Sequence, residues 1–136
     1  MITLHTYYSY VDAPAAITWL AQGLGFETTM RWDDEDGNVS HAELRLGDAA
    51  IVVFSDEGAG YDRMLPKAGD AVGHGTYLVV DSEAEVDALW ERALAAGGVP
   101  VWKPEQTEWN YRCRVRDPEG YEWSVCLHRP GQPQEW

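Results

Sequence analysis

Cysteine and basic residues are scarce in this chain of 136 residues. It has 2 cysteines, and its 10 lysines and arginines face 23 aspartates and glutamates, for a net charge of −13. A surface of that sign repels nucleic acids and anionic membranes, so neither is expected as a partner. No stretch is apolar for long enough to span a bilayer. The start of the chain lacks the basic residues and unbroken apolar run of a signal peptide, and we expect a cytoplasmic protein.

Residues 109–128 predict an antiparallel hairpin. Apolar and polar residues alternate along both arms, which is typical of strands with one buried face. The sequence DPEG at 117–120 suits the turn, because aspartate opens such turns, proline presets the next backbone position and glycine closes them. Cys113 and Cys126 fall in opposite alternation classes of the two arms. Their Cβ atoms should therefore point to opposite faces of the sheet, and free thiols are expected.

The pattern of one strand, one helix and three strands occurs twice along the chain. Strands are predicted at residues 2–8, 26–32, 39–46 and 50–55, then at 76–80, 99–103 and the two hairpin arms. Asp12 caps the first helix, and Ser82 opens the second as a capping box with Glu85. This repeat predicts an α+β fold of two βαβββ modules, each rolling a mixed sheet around half of one cavity, with the helices outside.

A single domain is expected, because 136 residues can bury one sufficient core. Module one should cover residues 1–56 and module two residues 74–130, with a tail at 131–136. The segment 57–73 combines glycine, proline and scattered charge. We interpret it as a linker between the modules or as a flap that closes over a ligand.

The hairpin and its position in this repeat resemble the last hairpin of the vicinal-oxygen-chelate superfamily. That superfamily holds glyoxalase I, extradiol dioxygenases and the bleomycin-resistance proteins. The resemblance runs from Trp109 to the DPEG turn and, through the order of the elements, covers nearly the whole chain. It implies the glyoxalase/bleomycin resistance/dihydroxybiphenyl dioxygenase-like fold and a homodimer.

The metal ligands of that superfamily are mostly missing. In its metal-dependent members, four ligands come from four strands, two in each module. His5 stands at the place of the first histidine ligand, but the other three places fall at Val52, Gly75 and Ser124. Valine and glycine offer no side-chain ligand atom, and serine is a poor substitute. The resemblance therefore implies that the familiar metal site is dismantled, and we expect no cofactor.

A rearranged metal site stays open as the alternative. It would use His5 together with His74, Glu122 and His41, and the protein would then be a metal-dependent lyase, isomerase or dioxygenase. We favour the simpler interpretation of His5 as a hydrogen-bonded histidine that lines the cavity. No catalytic residue is assigned, because no nucleophile and base are placed to converge.

The metal-free branch matches better. Bleomycin-resistance proteins are acidic dimers that sequester a cationic, flat-ringed drug and perform no reaction. Trp109 stands eight residues before Asp117, the place from which such proteins stack a tryptophan on the drug. Its neighbours are Glu108 and Asn110 instead of the usual proline and glycine, which changes the local loop. With 7 tryptophans in the chain, some are expected to contact a ligand or a partner subunit.

The predicted function is metal-independent binding of a small aromatic molecule, which the acidic surface would favour as a cation. The predicted ligand-binding residues are Trp109, Trp102, Trp32, Phe54, Tyr7, His5, Arg112, Arg114 and Ser124. The two arginines leave two options open. They either hold a carboxylate or phosphate of the ligand, or pair with Glu43 or Glu122. In the first case the ligand is not simply a polycation.

Overall fold

Two four-stranded mixed sheets, one in each half of the chain, make up the architecture. The computed structural model describes residue 1, residues 3–56 and residues 74–130. The chain divides into two compact units, Met1–Ala68 and Gly69–Trp136. The linker or flap at 57–73 and the tail at 131–136 lie outside the described residues. The joint cavity and the single-domain assignment stay predictions.

The first unit follows the predicted order of one strand, one helix and three strands. Its elements are β1 (Thr6–Tyr10), α1 (Ala13–Trp19) with a π-helical continuation (Leu20–Leu24), β2 (Glu27–Asp33), β3 (Val39–Leu46) and β4 (Ala49–Ser55). The sheet order is β1-β4-β3-β2. Strand β1 runs parallel to β4, and the other pairs are antiparallel. The Asp12 carboxylate accepts a hydrogen bond from the Ala15 backbone at 3.0 Å, so the predicted cap is confirmed.

The predicted first strand at residues 2–8 is wrong at both ends. Strand pairing begins only at Thr6, opposite Ile51 of β4. Leu4, inside the predicted strand but before the observed one, is 91% exposed. Tyr8 and Tyr10 supply the buried face instead. Their rings bury more area than the aliphatic side chains before them, which favours the later pairing.

The second unit repeats the topology of the first. Its elements are β5 (Gly75–Val79), α2 (Glu83–Ala95), β6 (Val99–Gln106), β7 (Tyr111–Arg116) and β8 (Glu122–Cys126). The sheet order is β5-β8-β7-β6, again with the first strand parallel to the last. The predicted repeat of two βαβββ modules is therefore confirmed. None of the helices in the described ranges is long and apolar enough to cross a membrane.

The capping box at the start of α2 is confirmed with one change. The Glu85 backbone donates to Ser82 Oγ at 3.2 Å, as predicted. The Glu85 carboxylate accepts from the backbone of Asp81, at 2.9 Å, rather than from that of Ser82. Side chains thus satisfy one backbone N–H group in the first turn of α2, that of Glu85, and one just before the cap, that of Asp81.

Asp117 fastens the hairpin turn between β7 and β8. Its side chain is buried, and its Oδ1 accepts hydrogen bonds from the backbone of Glu119 and Tyr121. Its Oδ2 accepts from the indole Nε1 of Trp123 at 3.2 Å. One carboxylate therefore holds the turn and orients the largest buried ring of the unit.

The core of the second unit lies between α2 and one face of its sheet. Val86 of α2 packs with Cys113 of β7 and Val125 of β8. Cys113 is the cross-strand partner of Val125, whereas Cys126 is the partner of Arg112. The two cysteines therefore point to opposite faces and are free, as predicted, and both are buried. The face away from α2 carries the polar residues of the hairpin.

Candidate ligand-binding site

The face of the second sheet away from α2 is built from alternating residues of β7 and β8. They form three cross-strand pairs: Arg112 with Cys126, Arg114 with Ser124, and Arg116 with Glu122. The period of two along each strand places all six on one side of the sheet. We call this surface the arginine face.

Arg114 is fixed on the arginine face by three contacts. Its Nε donates to Ser124 Oγ at 2.8 Å, and a terminal nitrogen lies 3.2 Å from the Glu122 carboxylate. Its guanidinium carbon lies 3.9 Å from the centre of the Trp102 ring. Glu122 also binds Arg116 at 3.4 Å. The guanidinium of Arg114 is thus held by two polar contacts through its nitrogens while it lies over the indole ring.

Arg112 approaches the same indole from the next polar position of β7. Its guanidinium carbon lies 4.6 Å from the centre of the Trp102 ring. Its terminal nitrogen lies 3.0 Å from the Glu105 carboxylate. Of the predicted pairings, Arg114 with Glu122 is confirmed. Arg112 pairs with neither Glu43 nor Glu122 in the described contacts.

The partner of Arg112 was missed because β6 is longer than predicted. The strand continues to Gln106, which makes Glu105 the cross-strand neighbour of Arg112. Pro104 lies just past the predicted end at residue 103, and proline weakens a strand assignment. The structure accommodates it with a register shift between Trp102 and Glu105. Such a shift leaves no signature in the alternation of residues.

The Trp102 ring is held by neighbouring side chains and is also partly exposed to solvent. The residue is 41% exposed although two guanidiniums contact its ring. Trp109 is 59% exposed and meets the His128 ring edge-on at a centroid distance of 5.1 Å. Both indoles therefore offer area for stacking a flat ligand.

Asn110 and Tyr77 hold the chain next to Trp109 against residues 127 and 128. The buried Asn110 accepts backbone hydrogen bonds from Leu127 and His128 at its Oδ1. Its Nδ2 donates to the Tyr77 hydroxyl, which in turn donates to the His128 carbonyl at 3.1 Å. Burial and the contact with Cys126 raise the pKa of Tyr77 to about 12, so its hydroxyl remains a donor at neutral pH. We did not predict these two residues. The only signal was the departure from the usual glycine at position 110.

The predicted residues of the first unit form two ring contacts. Tyr7 and Phe54 lie with ring centroids 5.9 Å apart, with Tyr7 exposed and Phe54 buried. Trp32 is exposed, and its ring centroid lies 6.1 Å from that of His41. His41 Nε2 lies 3.0 Å from the Glu43 carboxylate. These contacts bring aromatic rings together on the first sheet as well.

His5 lies just before β1, with both ring nitrogens in contact with protein atoms. Nδ1 lies 2.9 Å from the Ala50 carbonyl oxygen, and Nε2 lies 3.0 Å from Thr3 Oγ1. This arrangement fits the hydrogen-bonded histidine favoured above. A metal ion at His5 would have to displace one of these contacts.

The other places of the familiar metal site do not supply ligands. Val52 is the cross-strand partner of Tyr7, and Gly75 is that of Glu122. Ser124 already accepts the hydrogen bond from Arg114. Within the described ranges, no three histidine, cysteine, aspartate or glutamate side chains are grouped to hold a metal ion. This donor chemistry does not fit the divalent metal of the metal-dependent members.

Each unit thus gathers its own part of the predicted set. The first unit contains His5, Tyr7, Trp32 and Phe54, and the second contains Trp102, Trp109, Arg112, Arg114 and Ser124. Arg112 and Arg114 both contact Trp102, and Arg114 also binds Ser124, so these four residues form one connected group.

Solved structures with the same fold are numerous. TioX from Micromonospora sp. ML1 is 25% identical with a TM-score of 0.69, over 95% of this chain and 100% of TioX. A glyoxalase-related enzyme from Fulvimarina pelagi is 18% identical with a TM-score of 0.75, over 94% of this chain and 89% of that one. A glyoxalase/bleomycin resistance protein/dioxygenase family enzyme from Burkholderia phytofirmans PsJN is 20% identical with a TM-score of 0.71, over 90% and 95%.

Comparison of the sequence with family models agrees with the fold. The model of the Glyoxalase/Bleomycin resistance protein/Dioxygenase superfamily matches residues 3–125. Among curated proteins, none matches the chain. The match spans both units and every described strand from β1 to β7. The chain belongs to the Glyoxalase/Bleomycin resistance protein/Dioxygenase superfamily, which confirms the kinship suggested by its last hairpin.

Proposed function

We propose that the protein binds a small aromatic molecule without a metal ion, by burying the ligand and stacking its ring on tryptophan. The observation that carries the proposal is Trp102. Its ring is contacted by two guanidiniums and still leaves 41% of the residue exposed. An exposed ring that is already held in place offers stacking area at a low cost in conformational entropy.

Exposed aromatic residues elsewhere support the same proposal. Trp109, Trp32 and Tyr7 are all exposed, and each touches another ring, His128, His41 and Phe54 respectively. Single exposed apolar residues are ordinary, but rings this large on the strands and adjoining loops of a sheet favour a ligand or a partner.

The donor chemistry supports binding without a metal. The places of three family ligands hold Val52, Gly75 and a Ser124 hydroxyl that is engaged by Arg114. The contacts of His5 with Ala50 and Thr3 do not favour the rearranged enzyme either. No observation favours a second function over ligand binding.

The physiological role we propose is resistance to an aromatic antibiotic by sequestration, as in the bleomycin-resistance proteins. Membership of the superfamily and the acidic composition support this role and a homodimer as the working form. The composition of the chain supports a cytoplasmic location, where its two buried thiols would remain reduced.

The test is a titration of chelator-treated protein with flat aromatic compounds that are cationic, neutral or anionic, followed by tryptophan fluorescence. We expect saturable quenching by at least one class, unchanged after treatment with chelator. Elemental analysis of the untreated protein is the companion measurement. Tight stoichiometric metal, together with loss of binding when it is removed, would overturn the proposal.

A further inference from the structure

We infer that the ligand stacked on Trp102 is an aromatic anion, such as an aromatic carboxylate, and not a cation. This inference rests on the proposed function, because it names the class of molecule that the same site takes. It also departs from the expectation raised by the net charge of −13. The contacts around Trp102 carry the opposite sign.

A ligand stacked on Trp102 lies close to two arginines. The guanidinium carbons of Arg114 and Arg112 lie 3.9 Å and 4.6 Å from the centre of the Trp102 ring. A flat ligand in van der Waals contact with the indole lies about 3.5–4 Å from it. For a ligand centred over the indole, on either side of the ring, the ligand centre therefore lies within about 9 Å of both guanidinium carbons.

A guanidinium at this distance changes the affinity for a charged ligand. At roughly 8 Å, one unit charge changes the binding constant of another about twofold in bulk water and about thirtyfold at an effective dielectric constant near 20. The arginine face lies between these limits, since the side chain of Arg112 is only 16% exposed. The sign of the ligand therefore matters at this site.

Two carboxylates pair with the arginines of the arginine face. Glu105 pairs with Arg112, whereas Arg114 and Arg116 share the single carboxylate of Glu122. In the two pairs that reach the indole, Arg112 with Glu105 and Arg114 with Glu122, the guanidinium is the member in contact with the Trp102 ring, so the positive charge lies nearer to a stacked ligand. Glu105 is half exposed, so solvent screens it more than it screens Arg112.

The carboxylates of the acidic surface act on a bound ligand only over a short distance. At physiological ionic strength the Debye length is about 8 Å, so carboxylates farther away act weakly on a bound ligand. The two guanidiniums in contact with the indole are inside that range. The overall charge steers molecules that approach the protein, and the local charge decides which of them stays bound.

The roles of the two arginines differ. Arg114 is a positioning residue, because Ser124 and Glu122 bind its nitrogens while its guanidinium lies over the Trp102 ring. Arg112 is bound to a carboxylate that is half exposed to solvent, and a ligand carboxylate can compete with that group. Both contribute to the preference for an anion.

The test uses three probes with the same ring: naphthalene-2-carboxylate, 2-naphthalenemethanol and 2-naphthylmethylammonium. Each is titrated by calorimetry into the full chain at neutral pH and physiological salt. We expect the carboxylate to bind about tenfold more tightly than the ammonium compound, with the alcohol between them. In Arg112→Gln and Arg114→Gln the ratio of the two affinities should fall to about threefold or less. In Arg112→Gln the affinity for the alcohol should change less than the affinities for the two charged probes.

Arg92→Gln is the matched control. It removes the same charge from the last turn of α2, the helix that packs on the opposite face of the sheet. The ratio between the acid and the amine should stay unchanged in this variant. Circular dichroism checks that each variant is folded, and the comparison of probes on the unaltered protein needs no variant.

Three outcomes would overturn the inference in distinguishable ways. Tighter binding of the ammonium probe would reject the anion and leave aromatic binding intact. A preference for the carboxylate that survives both Arg112→Gln and Arg114→Gln would reject the arginine face as its cause. No binding by any of the three probes would reject the proposed function at Trp102 together with the inference.

Discussion

The guanidinium of Arg114 lies 3.9 Å from the centre of the Trp102 ring, its cross-strand neighbour on β6. The contact joins a hydrogen-bonded cation to a ring that is otherwise exposed. A cation over an indole contributes about 0.5–1 kcal/mol at an exposed site and more where water is excluded. The pair therefore both holds the ring in place and sets the charge that a ligand meets there.

Trp102→Ala should weaken the binding of a stacked aromatic ligand by about 1–3 kcal/mol. The fold should survive, because the residue is partly exposed and lies outside the buried core. Fluorescence or calorimetric titration gives the affinity, and circular dichroism checks the fold.

Trp109→Ala should weaken binding by a similar amount, about 1–3 kcal/mol, if the ligand also reaches the indole beside His128. The same titration measures it. Unchanged affinity in this variant would remove Trp109 from the site, and would leave Trp102 as the stacking residue.

Asp117→Ala should lower the free energy of unfolding by about 3 kcal/mol. The buried carboxylate accepts hydrogen bonds from two backbone N–H groups and the Trp123 indole, and hydrogen bonds to a charged group contribute about 1.5–3 kcal/mol each without adding fully. Urea denaturation measures the change. Asp48→Ala, in the exposed turn between β3 and β4, is the control and should stay within about 0.5 kcal/mol. Equal effects would contradict the role of Asp117.

The two thiols should react slowly with Ellman's reagent in the folded protein. Cys113 and Cys126 are both buried, and burial raises the pKa of Cys113 to about 12, so its reactive thiolate is scarce at neutral pH. In urea both should react at once, with a stoichiometry of 2 thiols per chain. A fast thiol in the native protein would show that one of these side chains is accessible.

The turn at Asp34 predicts a dependence of stability on acid. Desolvation opposes the shift, but hydrogen bonds from the backbone and side chain of Asn38 and the backbone of Asp36 lower the pKa of Asp34 below 3.8. The contribution of Asp34 to the stability of the folded protein is therefore present above pH 3.8. It is lost as the pH falls through the lower pKa that Asp34 has in the folded state. Asp34→Ala should be less stable than the unaltered protein at neutral pH, and the gap should narrow in acid. Thermal unfolding across this range checks it, and a gap that is independent of pH would contradict it.

Local signals in the sequence predicted much of the fold. The bounds of β3 at 39–46, the caps at Asp12 and Ser82, and the turn at 117–120 agree with the structure. Capping, turn chemistry and alternation depend on residues within a few positions of one another, so they can be recognised without the fold. The start of β1 and the end of β6 were missed, because pairing with another strand decides where a strand stops.

The sequence predicted several residues of the candidate site, but it did not predict which residues contact one another there. Alternation placed Arg112 and Arg114 on the polar side of β7, and Trp102 was selected as a stacking residue. Glu105, Asn110 and Tyr77 were not selected, although each contacts this group or the chain next to Trp109. Their roles depend on cross-strand register and on hydrogen bonds that span up to 51 positions of the chain.

The sequence by itself determined the repeat of two βαβββ modules and the opposite alternation classes of Cys113 and Cys126, because periodicity and residue type can be read along the chain. Only the tertiary structure decided that Arg112 and Arg114 both meet Trp102 and that Arg114 and Arg116 share Glu122. Composition averages charge over the whole chain, whereas strand pairing sets which charges lie next to each other. A chain with a net charge of −13 can therefore carry a site whose nearest charges are positive.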